Sequence, residues 1–144
     1  MKHTLQLKSQ LSLVDMPGYG YASAGYDQVE TWNDLVDTYL LTRKKKILRR
    51  VYVVIDARHG IKINDREFMH MLSRKNVKFQ VVMNKTDECK PSDLAKRWWH
   101  VNEEVKRLSN CVHRIHMCSS RTGAGVSEIT KELYHLTHLV QQQK

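Results

Sequence analysis

Val51-Tyr-Val-Val-Ile-Asp56 is a near-continuous β-branched run, the pattern of a strand buried on both faces of a sheet. Working downstream, Lys78-Phe-Gln-Val-Val-Met83 is a second such run, and His113-Arg-Ile-His-Met-Cys118 reads as a third strand. Phe68, Met71 and Leu72 mark a short helix between the first two. Leu94, Trp98, Val101, Val105 and Leu108 repeat at spacings of 4, 3, 4 and 3, which predicts a helix over 92–109 with Trp98 in the core and Trp99 off the apolar stripe. Ile129, Leu133, Leu136 and Val140 predict a closing helix. Upstream, Trp32, Leu35, Val36, Tyr39 and Leu40 lie on one face of a helix of about fifteen residues. Two short runs, 3–7 and 11–15, suit a hairpin turning at Lys8-Ser-Gln10. Strands that alternate with helices predict an α/β fold with a mostly parallel sheet, right-handed crossovers and helices on both faces. Ligands of such sheets sit at the carboxyl ends of the strands.

The 144 residues suit one domain, 1–144. Hydrophobic residues at 41% and charged residues at 27% exclude a disordered or fibrous chain. The longest apolar run is far short of the ~20 residues of a membrane span, and no charged leader with an apolar core opens the chain. Three cysteines (Cys89, Cys111 and Cys118) suit a reducing compartment rather than a disulfide framework, which leaves the cytoplasm or the mitochondrion. The 24 Lys and Arg exceed the 15 Asp and Glu by nine. Arg43, Lys44, Lys45, Lys46, Arg49 and Arg50 concentrate that excess, a density that attracts a polyanion such as RNA. The same run suits the solvated end of a helix, where cations complement the dipole.

The residues that follow each strand carry chemistry. Asp15-Met-Pro-Gly18-Tyr-Gly20-Tyr-Ala22 offers a carboxylate that can hold Mg²⁺ through water and a glycine amide that an anion can approach closely. A strand-to-loop turn uses the same residues. Asn84-Lys-Thr-Asp87 offers a carboxylate able to accept both N1–H and the exocyclic amine of guanine, a pair that adenine lacks. Lys85 can lay its stem along the base, and Asn84 can tie neighbouring loops. Ser119-Ser120-Arg121-Thr-Gly-Ala-Gly125 lets the backbone fold over a flat ring, and also suits a plain strand-to-helix connection.

These three segments fall in order, each after a strand. The chain resembles a translation-factor-like GTPase and, within that class, the EngB family of ribosome-biogenesis GTP-binding proteins. The residues that carry the resemblance are Asp15-Met-Pro-Gly-Tyr-Gly-Tyr-Ala22, the Trp32…Tyr39-Leu40 face, Asp56-Ala-Arg58-His59 with Asp65, Asn84-Lys-Thr-Asp87 and Ser119-Ser120. The resemblance implies a three-layer sandwich of the P-loop-NTPase type that binds GTP or GDP with Mg²⁺. Asp87 would read guanine, Lys85 would pack over it and Asn84 would brace the loop. The Ser120 backbone would meet the guanine oxygen between Ser119 and Arg121. Asp15 would hold Mg²⁺ through water and the Gly18 amide would sense the γ-phosphate. Tyr19 stands where many GTPases carry the glutamine that orients the attacking water. Gly20 and Tyr21 would then lie in a mobile switch.

No GxxxxGKS/T occurs in the 144 residues. The resemblance implies an incomplete G domain, in which the family's first strand, phosphate loop, first helix and first switch lie upstream of Met1 or do not exist. Because groups on the phosphates supply much of the affinity and most transition-state stabilisation, these residues are expected to bind nucleotide weakly and hydrolyse it poorly. The family's role implies large-subunit ribosome assembly, with the basic run facing ribosomal RNA or ribosomal proteins. A remnant that binds RNA or a ribosomal protein without a nucleotide cycle is the alternative. The missing central strand further implies direct pairing of the strands that end at Asp15 and Asp56, a segment admitted from another chain as in a strand-mediated homodimer, or ladder groups left unsatisfied. The spacing Cys111, His113, His116, Cys118 splits across two faces of a strand and does not converge on one zinc ion. Asp56-Ala-Arg58-His59 reads as a loop-shaping segment rather than a catalytic pair, and Trp99 as partly covered by neighbouring chains or helices, with a surface on which RNA bases stack as the alternative.

Overall fold

The computed structural model describes residues 3–7, 11–16, 18, 36, 38–40 and 47–138. Its strands are β1 (His3–Leu7), β2 (Leu11–Asp15), β3 (Val51–Asp56), β4 (Phe79–Asn84) and β5 (Cys111–Met117). β3, β4 and β5 form a parallel sheet in that order, with Asp56 opposite Asn84 and Met83 opposite Met117. The three carboxyl ends therefore lie side by side. β1 and β2 form a separate antiparallel hairpin, and among the described residues no ladder joins β2 to β3. Direct pairing of those two strands, one of the expected arrangements, is not formed.

Three helices of the described chain cover the parallel sheet: α1 (Ile63–Arg74), α2 (Pro91–Val105) and α3 (Val126–His138). Alternate β residues divide them between two faces. Val53, Ile55, Phe79, Val81 and Met83 pack with Phe68, Met69 and Leu72 of α1 and with Val101 and Val105 of α2 in one cluster. Fully burying each such side chain contributes about 1.5–3 kcal/mol. Gln80, between Phe79 and Val81, points to the other face, where it bonds Glu132 of α3. Residues 36 and 38–40, all helical, are the described part of the expected helix around Trp32 and Tyr39, and Val36 and Leu40 are buried in the same cluster as α1 and α2. Met16, just past β2, also packs on this cluster. Among the described residues no helix is long and apolar enough to cross a membrane.

Two details of α2 depart from the periodicity. Pro91 starts the helix, as its fixed φ and missing N–H allow. The helix closes at Val105, yet Leu108 stays buried because the following turn, with Leu108 N–H on the Val105 carbonyl at 3.1 Å, still faces the core. Trp98 is 36% exposed rather than in the core. Its expected place is taken by the half-buried Arg97, whose guanidinium donates to the Ala57 carbonyl at 3.1 Å while its stem lies against Gly60. Trp99 is exposed, as its position off the stripe requires.

The basic run is also corrected at its end. The side chain of Arg50 is only 9% exposed, its guanidinium paired with Glu132 and donating to the Gln80 side-chain oxygen at 2.5 Å. Arg43, Lys44, Lys45 and Lys46 lie outside the described residues, and Arg49 is half-buried.

Candidate functional site at the ends of β4 and β5

β4 ends in Asn84, whose side chain fastens two loops. Its Oδ1 accepts the Lys85 N–H at 2.8 Å and the Ser120 N–H at 3.1 Å, and its Nδ2 donates to the Ser120 hydroxyl at 3.4 Å. Lys85 then takes a left-handed conformation (φ 64°, ψ 35°), uncommon for a residue with a Cβ. That sharp bend starts the 3₁₀ turn Thr86–Glu88. Thr86 donates both its N–H and its hydroxyl to the Cys118 carbonyl, at 3.2 and 3.0 Å. The loops after β4 and β5 are thus one hydrogen-bonded unit.

Asp87 occupies the middle of the turn and Arg121 reaches it from the β5 loop, with Nε donating to Oδ2 at 2.7 Å. Hydrogen bonds from Ser119 and then Arg121 hold the Asp87 carboxyl below the usual carboxylate range, so it is an acceptor at neutral pH. A carboxylate has about four lone-pair positions, of which Arg121 takes two on Oδ2 and Ser119 another, so a ligand edge with two donors displaces one of these bonds. The buried Ser119 organises its own loop: its Oγ accepts the Thr122 N–H at 3.0 Å and its carbonyl the Gly123 N–H at 2.9 Å.

A second polar group lies on the β3 side. Asp56 Oδ2 accepts the Lys85 ammonium at 3.0 Å and the Arg58 guanidinium at 2.7 Å. Its Oδ1 accepts the Arg58 N–H and Nε, both at 3.0 Å. Arg58 Nη1 continues to Glu88 Oε2 at 2.9 Å. The Arg58 guanidinium, and after it the Lys85 ammonium, hold the Asp56 carboxyl far below the usual carboxylate range. The sequence predicts a loop-shaping segment here, and the Lys85 contact spans 29 positions with no local signal.

The structure therefore brings Asn84, Lys85, Asp87, Ser119, Ser120 and Arg121 together at adjacent strand ends. Asp15, the last residue of β2, and Gly18 beyond it are exposed, and among the described residues no hydrogen bond or ion pair joins them to the β4 and β5 loops. Tyr19 and Gly20 lie outside the described residues. An ionised carboxylate beside backbone amides can accept from a flat ligand edge that carries N–H donors. For Mg²⁺ the described part of the Asp15 segment offers one exposed carboxylate, a single point of the octahedral oxygen shell such an ion needs. The Cys111, His113, His116, Cys118 set is divided, with His116 Nε2 taken up by Glu132 at 2.6 Å.

Residues 39–139 match the family described as the elongation factor Tu GTP binding domain. The chain is 41% identical over 119 residues to "Probable GTP-binding protein EngB" of Sinorhizobium fredii, covering 83% of this chain and 54% of that protein. It is 43% identical over 122 residues to the protein of the same name from Bradyrhizobium diazoefficiens, covering 85% and 55%. The chain thus spans about half the length of the curated relatives it matches. Among solved structures it resembles translation elongation factor SelB from Methanococcus maripaludis in complex with the GTP analogue GppNHp, with a TM-score of 0.67 and 22% identity over 94% of this chain and 27% of that one. That likeness concerns the fold.

Proposed function

Because the chain belongs to the elongation factor Tu GTP-binding domain family, and within it to the EngB-family GTP-binding proteins, we propose that the β4–β5 loop unit is its guanine-reading site. The observation that carries this is the Asp87 carboxylate, kept ionised and presented on a turn that Asn84 and Thr86 fasten to the Ser119–Arg121 loop. Asp87 accepts N1–H and the exocyclic amine of guanine. The Lys85 stem covers one face of the ring, and the Ser120 region supplies a backbone N–H to the keto oxygen. Adenine offers the reverse donor pattern and leaves the carboxylate unpaired, which is the basis of discrimination.

Phosphate binding and hydrolysis have no comparable set in the 144 residues, which contain no GxxxxGKS/T. These residues alone therefore bind GTP or GDP chiefly through the base, weakly, and hydrolyse GTP poorly. When bound, Mg²⁺ supplies charge neutralisation on the phosphates, and Asp15 is the residue here that would meet it through water. The role proposed for the protein is large-subunit ribosome assembly. It is supported by the family and by a net charge of +9, with Arg43, Lys44, Lys45, Lys46 and Arg49 as the cations for RNA. Arg50 is withdrawn from that surface by its pairing with Glu132.

Equilibrium binding of guanosine and GDP to the chain tests the site. Asp87→Ala is expected to weaken guanosine about a hundredfold, the loss of two hydrogen bonds to a charged acceptor, with adenosine binding unchanged. Equal guanosine affinity in the variant refutes the assignment. The net charge of +9 favours a second reading, an RNA- or ribosomal-protein-binding module without a nucleotide cycle. Its signature is RNA binding by a chain that takes up no guanosine.

A further inference from the structure

The ion chain on the β3 side does not touch the proposed base edge, yet it reaches both ends of the turn that carries Asp87. Lys85, which leads into the turn, is held by Asp56, and Glu88, the last residue of the turn, is held by Arg58. Asp56 and Arg58 are themselves joined through both carboxylate oxygens, with contacts of 2.7 to 3.2 Å. The segment they stand on is anchored. The Asp56 carbonyl accepts the N–H of His59 and of Gly60, each at 3.1 Å, Ala57 N–H donates to the Asn84 carbonyl at 2.8 Å, and Arg97 of α2 donates to the Ala57 carbonyl. Isolated surface ion pairs contribute little, but a forked guanidinium shared between two carboxylates in a network is the favourable exception.

We propose that Asp56 and Arg58 are positioning residues of the base site, a strut from β3 that fixes the Thr86–Glu88 turn and with it the direction of the Asp87 carboxylate. The proposal rests on the guanine reading above. From the other side the turn is held by the β5 loop through Asn84, Thr86 and Cys118. With the β3 side released, only one side is fixed and Asp87 samples orientations in which its two oxygens no longer meet one base edge together. Preorganisation of this kind lowers the ordering cost of binding without a contact to the ligand.

Amide hydrogen exchange on the nucleotide-free chain reads the strut directly. Arg58→Ala and Glu88→Ala are expected to speed exchange at the Glu88 and Cys89 amides about tenfold, the loss of a charge-assisted hydrogen bond, while the urea midpoint of the whole chain stays put. Glu88→Gln keeps an acceptor for Arg58 and is expected to stay near the wild-type exchange rate. In the same variants guanosine affinity is expected to fall about five- to tenfold, with Glu88→Gln restoring most of it. Exchange in Arg58→Ala within twofold of wild type overturns the proposal, and so does a loosened turn with unaltered guanosine affinity. Failure of the guanine reading shows elsewhere, as an Asp87→Ala variant that binds guanosine like wild type, and the exchange comparison is independent of it.

Discussion

Glu132→Ala is expected to cost about 3 kcal/mol of unfolding free energy at pH 7, because removal of one partner strands a buried charge. Glu132 serves three groups at once: the Arg50 guanidinium, the Gln80 amide at 3.1 Å and His116 Nε2 at 2.6 Å. Arg50 and Glu132 side chains are only 9% and 17% exposed, so water cannot take the carboxylate's place. Truncation leaves Arg50 cationic, with the neighbouring Nε already lacking a partner among the described residues, and frees Gln80 and His116. Urea unfolding followed by tryptophan fluorescence measures the loss, and a cost below ~1 kcal/mol, the level of an ordinary surface pair, refutes it. Replacing Arg50, Gln80, His116 and Glu132 together by apolar residues of similar volume is expected to cost far less, as buried ion clusters exchange for packing with little net change.

The same cluster sets a pH dependence. Burial, with the positive charges of Arg114 and Arg50, pushes His116 below the usual imidazole range, so the folded chain keeps the ring neutral and donating from Nε2. The unfolded chain binds a proton at ~6.5 and takes up more protons than the folded chain below that pH. This contribution is fully present above ~6.5 and is lost as pH falls below it. Stability from pH 7 to 5.5 should therefore decline less steeply in His116→Gln than in wild type.

The strands were legible because β-branched runs and short gaps leave few alternatives, and the two-faced sheet followed from their order. Asn84, Asp87, Ser119 and Ser120 were legible as residues, since each directly follows a strand and strand ends in a parallel sheet are neighbours. Their contacts were less so. Arg50 read as the last cation of a solvated run, and the residue that buries it, Glu132, stands on the final helix with no local link to it. Gln80 was the available clue, a lone amide inside an apolar strand that must find a partner once buried. Trp98 was misplaced because a 4-3 stripe fixes a face only to within one position. The Ala57 carbonyl, exposed to a donor at the end of β3, turned α2 so that Arg97 faces inward.

Gly125→Ala is expected to disrupt the base site together with the end of β5. Gly125 sits at φ +72°, and a Cβ there would lie 2.0 Å from the Met117 carbonyl oxygen and 3.1 Å from the Cys118 Cα. Both contacts are backbone, so the chain must move rather than a side chain. The backbone that would move carries the carbonyl of Cys118, which takes both Thr86 bonds, and leads into Ser119 and Ser120. Gly123, two residues earlier at φ +80°, has nothing within 4 Å of a Cβ position and isolates the conformational part of the effect. Gly123→Ala should cost only the left-handed strain, about 1–2 kcal/mol. Gly125→Ala adds displacement of packed backbone and should exceed it by at least ~2 kcal/mol, in the range of overpacked interiors, and guanosine affinity should fall with it. Equal costs at the two positions would mean that the loop yields without moving β5, and that Ser120 is not held by the strand end on which the site depends.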